Sequence, residues 1–262
     1  MGRPAWLRVL RAFAPPPDLR HAGIVSAAPD AQESMTWTTL GTNGGPVANP
    51  QRSEPANLLR VGPRNWMVDC GDGAVERLVA TGLQPLKVSR LFISHLHLDH
   101  IGGMQGLMGL RWMLGAPSVL TIYGPPGIEA VVAGIVDSFK PSAAIGLSGT
   151  AQRSPADSVK VVVLRDGSDI DLFRVEAALG SVDNPMPKEL MPALMIHLRE
   201  QHLTPEAAGA IAAKAGVQRL VFTHLGSAAP FDEVAPQLEA QARKTFKGDV
   251  HVARDLERFS GD

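Results

Sequence analysis

One cysteine in 262 residues, Cys70, is too few for an internal disulfide, which removes the disulfide-stapled folds from consideration and leaves the redox compartment open. Nor is charge of either sign in excess. Lysine and arginine number 25 against 26 aspartates and glutamates, a formal net charge of -1, so no overall basic field exists to hold a polyanion such as nucleic acid. A local basic patch is still compatible with these counts. Long apolar runs are missing too: none approaches the roughly 18 residues that a membrane-crossing helix needs. Near the start, Arg3, Arg8 and Arg11 precede small residues around Ala27 and Ala28, but they interrupt Trp6, Leu7, Val9, Leu10 and Phe13 and leave no clean signal-peptide core. Residues 1–33 therefore read as an extension ahead of one domain over 34–262. The expected location is cytoplasmic, with periplasmic or secreted as the alternative if the extension acts as a signal.

What the chain does have is a concentration of histidine. In Ser94-His95-Leu96-His97-Leu98-Asp99-His100-Ile101-Gly102-Gly103, three imidazoles and a carboxylate occupy six positions directly after the apolar run Leu91-Phe92-Ile93. Side chains alternate along extended backbone, so His95 and His97 point the same way and can grip one ion. Asp99 and His100 sit where the chain turns helical and can face a second. Imidazole nitrogen and carboxylate oxygen suit zinc and its neighbours better than calcium or magnesium. The bland alternative, surface histidines in a polar loop, has to meet the cost of packing four such groups beside a buried strand without a cation.

The run His-x-His-x-Asp-His followed by Gly-Gly resembles the signature of the metallo-β-lactamase superfamily. Leu40-Gly41-Thr42-Asn43-Gly44-Gly45-Pro46, Val68-Asp69-Cys70-Gly71, Tyr123-Gly124-Pro125-Pro126-Gly127 and Leu220-Val221-Phe222-Thr223-His224 resemble its ribonuclease Z-like and arylsulfatase-like branch. The resemblance implies an α/β fold, a four-layer αβ/βα sandwich, with one or two zinc ions, or other divalent transition metals, between the sheets. Carried over by position, it implies His95 and His97 on the first ion and Asp99, His100 and His224 on the second. For His224 the alternative is a satisfied core histidine. Asp69 either orients a metal-bound histidine, as the family's matching aspartate does, or caps the helix that begins near Asp72. The family's third histidine for the first ion has no counterpart, because no histidine lies between His100 and His197. The stretch that carries the bridging carboxylate is not recognisable either, although Leu147-Ser148-Gly149-Thr150 resembles its frame without the aspartate. Asp183-Asn184-Pro185-Met186-Pro187 and then His202-Leu203-Thr204-Pro205 fit the family's late region almost without gaps, so the segment bearing both ligands reads as shortened. Asp166, Asp169, Asp171 or Asp183 could substitute, and three ligands plus water still make a catalytic zinc site. Alternatively the second site alone is filled, or neither is.

The implied chemistry is hydrolysis by a metal-activated water, with Asp99 both ligating and holding the nucleophilic water and His202 as general acid. Phosphodiesters or related small esters are the expected substrates. Lactones or β-lactams are the rival, and a degenerate binding module without catalysis is the alternative from another class. Transfer-RNA processing is disfavoured, since residues 140–158 read as too short for an RNA-gripping arm.

Elsewhere, period-two apolar patterning and turn residues predict strands over 36–39, 57–61, 65–70, 88–94, 118–123, 159–164, 219–222 and 250–252. Helical periodicity with glycine or proline stops predicts helices over 74–81, 107–114, 128–139, 205–215 and 230–244. The glycine-rich stretch from Gly41 reads as a turn near the site mouth rather than a phosphate cradle. Residues 140–158 read as loop. Leu190, Met191, Leu194, Met195 and Leu198 form a helical stripe that packs on the sheet or on a second copy as a homodimer.

Overall fold

The computed structural model describes residues 35–45, 48–145, 153–164, 203–226 and 230–261. Two consecutive hairpin-like pairings open the fold. Strands β1 (Met35–Gly41), β2 (Ala56–Val61) and β3 (Arg64–Cys70) run antiparallel, with Gly62 turning β2 into β3 at a positive φ of 53°. From β3 onward the direction changes. Helix α1 (Ala74–Ala80) crosses back to β4 (Arg90–Phe92), α2 (Leu98–Ile101) and α3 (Met104–Met113) lead to β5 (Leu120–Gly124), and α4 (Ile128–Ser138) with α5 (Lys140–Ile145) leads to β6 (Val159–Val163). Strands β3 to β6 pair in parallel, as helix crossovers require. The second half supplies α6 (Pro205–Ala215), β7 (Arg219–Phe222), α7 (Phe231–Ala242), β8 (Asp249–Val252) and β9 (Arg258–Gly261). Strand β9 returns to pair with β1, which gives a seven-stranded sheet in the order β6-β5-β4-β3-β2-β1-β9, while β7 and β8 form a parallel pair of their own.

Alternation along the strands divides the large sheet into two faces. Leu58, Met67, Leu91, Ile93, Leu120 and Ile122 point into one core beneath α1, α3 and α4. Their neighbours Trp66, Phe92 and Tyr123 make an aromatic row on the other face, Phe92 stacked on Tyr123 at 4.7 Å and edge-on to Trp66 at 6.2 Å. A second core gathers Phe222, Val250 and Val252 with Ala208, Ala212, Val234 and Leu238 of α6 and α7. Helices therefore back each sheet, the layering of an αβ/βα sandwich.

Thr204 shows how local chemistry sets an element. Its hydroxyl accepts from Ala207 N at 3.2 Å, Pro205 occupies the first turn, and Gly216 ends α6 in the left-handed region at φ 66°. One expectation needs correcting, and two features go beyond what the sequence predicts. Residues 140–158 are not loop throughout, since Lys140–Ile145 continue helically from α4 and Ala156–Ser158 make a 3-10 turn. In β7 only Phe222 is buried, because α6 and α7 cover one face of a short strand. Strand β9 has no forecast at all. The stripe from Leu190 to Leu198 lies outside the described residues. Among the described residues, no helix is long and apolar enough to cross a membrane.

Candidate metal centre

The large sheet ends its parallel strands at one edge, and the histidine cluster stands there. Strand β4 stops at Phe92, and Ser94 N donates at 2.8 Å to Oδ1 of Asp69, the residue before the last of β3. The chain then runs extended through His95 to His97 and winds into α2, which carries Asp99 and His100. His224 arrives from the other half of the molecule, two residues past the end of β7. It is buried at 6% exposure, as are His100 at 5% and Asp69 at 4%. Both Asp69 and His224 hold positive φ angles, 59° and 63°, where a non-glycine residue is strained. Such geometry persists where neighbours over-determine it, and here it turns both side chains into one cleft.

Distances within the cleft are short. His100 Nε2 lies 2.9 Å from His224 Nε2, His224 Nε2 lies 3.1 Å from Asp99 Oδ2, and His100 Nε2 lies 3.7 Å from the same oxygen. With metal–ligand bonds of about 2.0–2.2 Å, neighbouring ligand atoms of a tetrahedral zinc stand about 3.3 Å apart, and the three observed separations straddle that value. Among the described residues, Asp99, His100 and His224 are the group of three whose ligand atoms all fall within 4.8 Å of one another. Donor types and spacing together fit a divalent transition metal. His95 Nε2 and His97 Nδ1 meet at 2.9 Å beside this group, with His95 buried, His97 exposed, and the His95 and His100 rings 3.9 Å apart.

The surroundings prepare these groups. Asp69 Oδ2 faces His100 Nδ1 at 2.9 Å, and a carboxylate can only accept, so His100 donates through Nδ1 and keeps Nε2 bare toward His224. Ser94 Oγ donates to the same Asp69 oxygen at 2.9 Å and stands 3.1 Å from His95 Nδ1. Of the two sequence readings for Asp69, the helix cap is not what is seen, since α1 begins after Gly73 with no side-chain cap. Burial alone would raise Asp99. The hydrogen bond with His224, the nearby charges of His100 and His224, and the Gly45 N–H at 3.0 Å outweigh it and hold the carboxyl well below the usual carboxylate range. Burial depresses His224, with the Asp99 hydrogen bond opposing, which favours the neutral imidazole that ligates metals. Cys70 is fully buried, and burial pushes its thiol up and out of reactive range.

Sequence reasoning missed the supports. Gly45 packs against Asp99, a Cβ there landing 2.7 Å from Asp99 Cβ, and Gly44 N donates to Leu225 O at 3.1 Å. Glu54 sits half-buried behind Asp99 with its carboxyl pushed up to about 7, first by burial and then by the Asp99 charge. The run of glycines from Gly41 was the available signal, and the glycine loop does lie beside the site. Of the residues singled out from sequence, the structure brings together His95, His97, Asp99, His100 and His224. His202, Asp166, Asp169, Asp171 and Asp183 lie outside the described residues.

Comparison with known proteins agrees with this geometry. The model of the family described as anti-Pycsar protein Apyc1 matches residues 35–125. Over 275 aligned residues the chain is 29% identical to a ribonuclease Z of Mycolicibacterium paratuberculosis, covering 86% of this chain and 98% of that one. In structure it is similar to the metallo-β-lactamase fold protein YhfI from Bacillus subtilis, with a TM-score of 0.59 at 19% identity over 87% of this chain and 100% of that one. It is also similar to a diphosphatase from the PhnP family, with a TM-score of 0.55 at 16% identity over 87% and 97%. The fold is the metallo-β-lactamase fold, its histidine cluster at the open edge between the two sheets. Within proteins of that fold, its sequence is similar to ribonucleases Z over most of its length.

Proposed function

We propose that the chain is a metal-dependent hydrolase of small phosphodiester or related ester substrates, with Asp99, His100 and His224 holding zinc and His95 with His97 serving a first ion beside it. The observation that carries this reading is the convergence of His100 Nε2, His224 Nε2 and Asp99 Oδ2 from positions more than 100 residues apart in sequence. A divalent cation held there would supply an acidified water and an electrophilic centre for the ester oxygen. The remaining work falls to the protein. Asp69 and Ser94 keep His100 in the tautomer whose Nε2 faces the ion, and Asp99, ionised across the neutral range, holds charge opposite it. His202 is proposed as the proton donor to the leaving group, from its sequence position before α6. The names ribonuclease Z and diphosphatase among the relatives support phosphorus esters, and the balanced net charge of -1 favours a small ester over an RNA strand.

The test is zinc content together with turnover of bis(4-nitrophenyl) phosphate, a lactone and a β-lactam by the zinc-reconstituted full chain. Phosphodiester turnover that His100→Ala abolishes is the expected result. Preferential lactone or β-lactam cleavage would move the chemistry to carbonyl centres. Metal content below about half an equivalent after reconstitution would defeat the hydrolase reading.

A further inference from the structure

We propose that Asp255 is a positioning residue for the metal centre, acting through the glycine loop and not on the ion itself; the inference rests on Asp99, His100 and His224 holding a metal. Asp255 lies between β8 and β9, with a side chain only 6% exposed. Its Oδ1 accepts from Thr42 N at 2.9 Å and from Thr42 Oγ1 at 2.7 Å, and its Oδ2 accepts from Ser53 N at 2.8 Å. Arg77 Nε stands 3.4 Å from Oδ2, and the buried Arg52 guanidinium is its other cationic neighbour. One carboxylate thus ties together the two ends of the loop that follows β1.

The far side of that loop touches the centre. Thr42 O accepts from Leu225 N at 2.8 Å, Gly44 N donates to Leu225 O at 3.1 Å, and Gly45 N donates to Asp99 Oδ2 at 3.0 Å. Arg52 Nη2 reaches the same Leu225 carbonyl at 3.3 Å. Four consecutive residues, Thr42 to Gly45, are therefore held by Asp255 on one side and hold Asp99 and the residue after His224 on the other. Loosening Asp255 lets both ligands drift while His95, His97 and His100, fixed from β3 and β4, stay in place.

Asp255→Asn keeps the shape but turns an amide N–H toward Thr42 or Ser53 N–H, donor against donor. The experiment measures zinc affinity of the full-length chain by chelator competition, with the cobalt absorption spectrum and the melting temperature of the chelated protein alongside. Asp255→Asn is expected to weaken zinc about 10- to 100-fold and to change the cobalt spectrum, as loss of outer-sphere support does at other metal sites. Thr245→Val is the control. It removes a 2.6 Å hydrogen bond to Glu206 O that joins the segment after α7 to the start of α6, away from the loop, and is expected to lower melting without moving zinc affinity. Thr42→Val, which leaves Asp255 intact, is expected to weaken zinc as well, with the double variant no weaker than Asp255→Asn alone. Unchanged zinc affinity in Asp255→Asn, a loss no larger than that in Thr245→Val, or additive effects of the two loop variants each overturn the inference. If Asp255→Asn fails to fold, Thr42→Val with wild-type zinc affinity overturns it. Failure of the unaltered chain to bind zinc removes the metal reading itself, a result distinct from any of these.

Discussion

Replacing Asp69 separates holding a fold together from preparing a ligand, because asparagine and alanine remove different things from one buried position. Asp69 accepts three hydrogen bonds, from Ser94 N, Ser94 Oγ and His100 Nδ1, at 2.8–2.9 Å, and does so at a φ of 59°. In Asp69→Ala, the part-buried Ser94 N–H and the buried His100 Nδ1–H both lose their acceptor, at about 1–3 kcal/mol each. The left-handed backbone adds about 1 kcal/mol for a residue with a Cβ and no polar side chain to compensate. The sum, about 3–7 kcal/mol, is a large share of the roughly 5–15 kcal/mol that holds a domain together. Asn tolerates the backbone and still accepts from Ser94 N, so Asp69→Asn should cost about 1–2 kcal/mol, the loss of charge from its hydrogen bonds. Its amide, however, now donates to His100 Nδ1 and drives the proton to Nε2, the nitrogen that faces His224 and Asp99. Zinc affinity should then fall about 10- to 100-fold with the fold largely intact. Urea unfolding of the chelated protein and chelator competition for zinc give the two numbers. The argument fails if Asp69→Asn binds zinc like the parent, or if alanine and asparagine cost the same stability.

Gly45→Ala should weaken zinc binding more than it lowers the melting temperature of the chelated protein, since its Cβ would press on Asp99 at 2.7 Å; equal binding would show that the loop yields. His97→Ala and His224→Ala should each lower the zinc stoichiometry by one equivalent, and the double variant by two, if the two histidine pairs serve separate ions; a double variant that loses no more than either single one would refute that. Phe222→Ala, at a fully buried position in the second core, should cost about 3–5 kcal/mol in urea unfolding. For Glu54 the sign follows from a carboxyl pushed up to about 7: between the unfolded value near 4.5 and 7 the folded state binds the extra proton, so Glu54 stabilises below that window and the benefit is lost as pH rises through it. His224, depressed by burial, contributes the opposite slope, so the check is the difference in melting temperature between the chelated parent and Glu54→Gln across pH 4–8. Glu54→Gln should flatten the downward part, and an unchanged profile would refute the assignment.

What could be read from sequence is what neighbouring residues determine among themselves. His95, His97, Asp99 and His100 span six positions where a strand end becomes a helix, so their spacing already carries their directions. His224 was legible for the same reason, at the tip of the short apolar run from Leu220. Strand and helix starts such as Thr204-Pro205 announce themselves through capping chemistry. Gly45 against Asp99, Thr42 against Asp255 and β9 against β1 do not, because each depends on which segments, 54 to more than 200 residues apart, the fold brings side by side. Strand β9 pairs with β1 as the edge strand of the sheet, and four residues of Arg258–Gly261 carry no periodicity strong enough to say so.

The two strained residues explain why local legibility and tertiary support meet at this site. A side chain at the end of a regular strand continues the alternation of the sheet and points to one face or the other. A left-handed residue breaks that alternation. Asp69 and His224 are both in this region, at φ 59° and 63°, the first at the pairing irregularity near the end of β3 and the second two residues past β7. Each conformation opposes the intrinsic preference of its residue, so it must be held by bonds made elsewhere: Ser94 and His100 hold Asp69, while the Leu225 ladder with Thr42 and Gly44 holds His224. The ligand geometry is therefore as rigid as those bonds. An orientation sustained by partners so far away in sequence is the part of a metal site that a motif cannot encode.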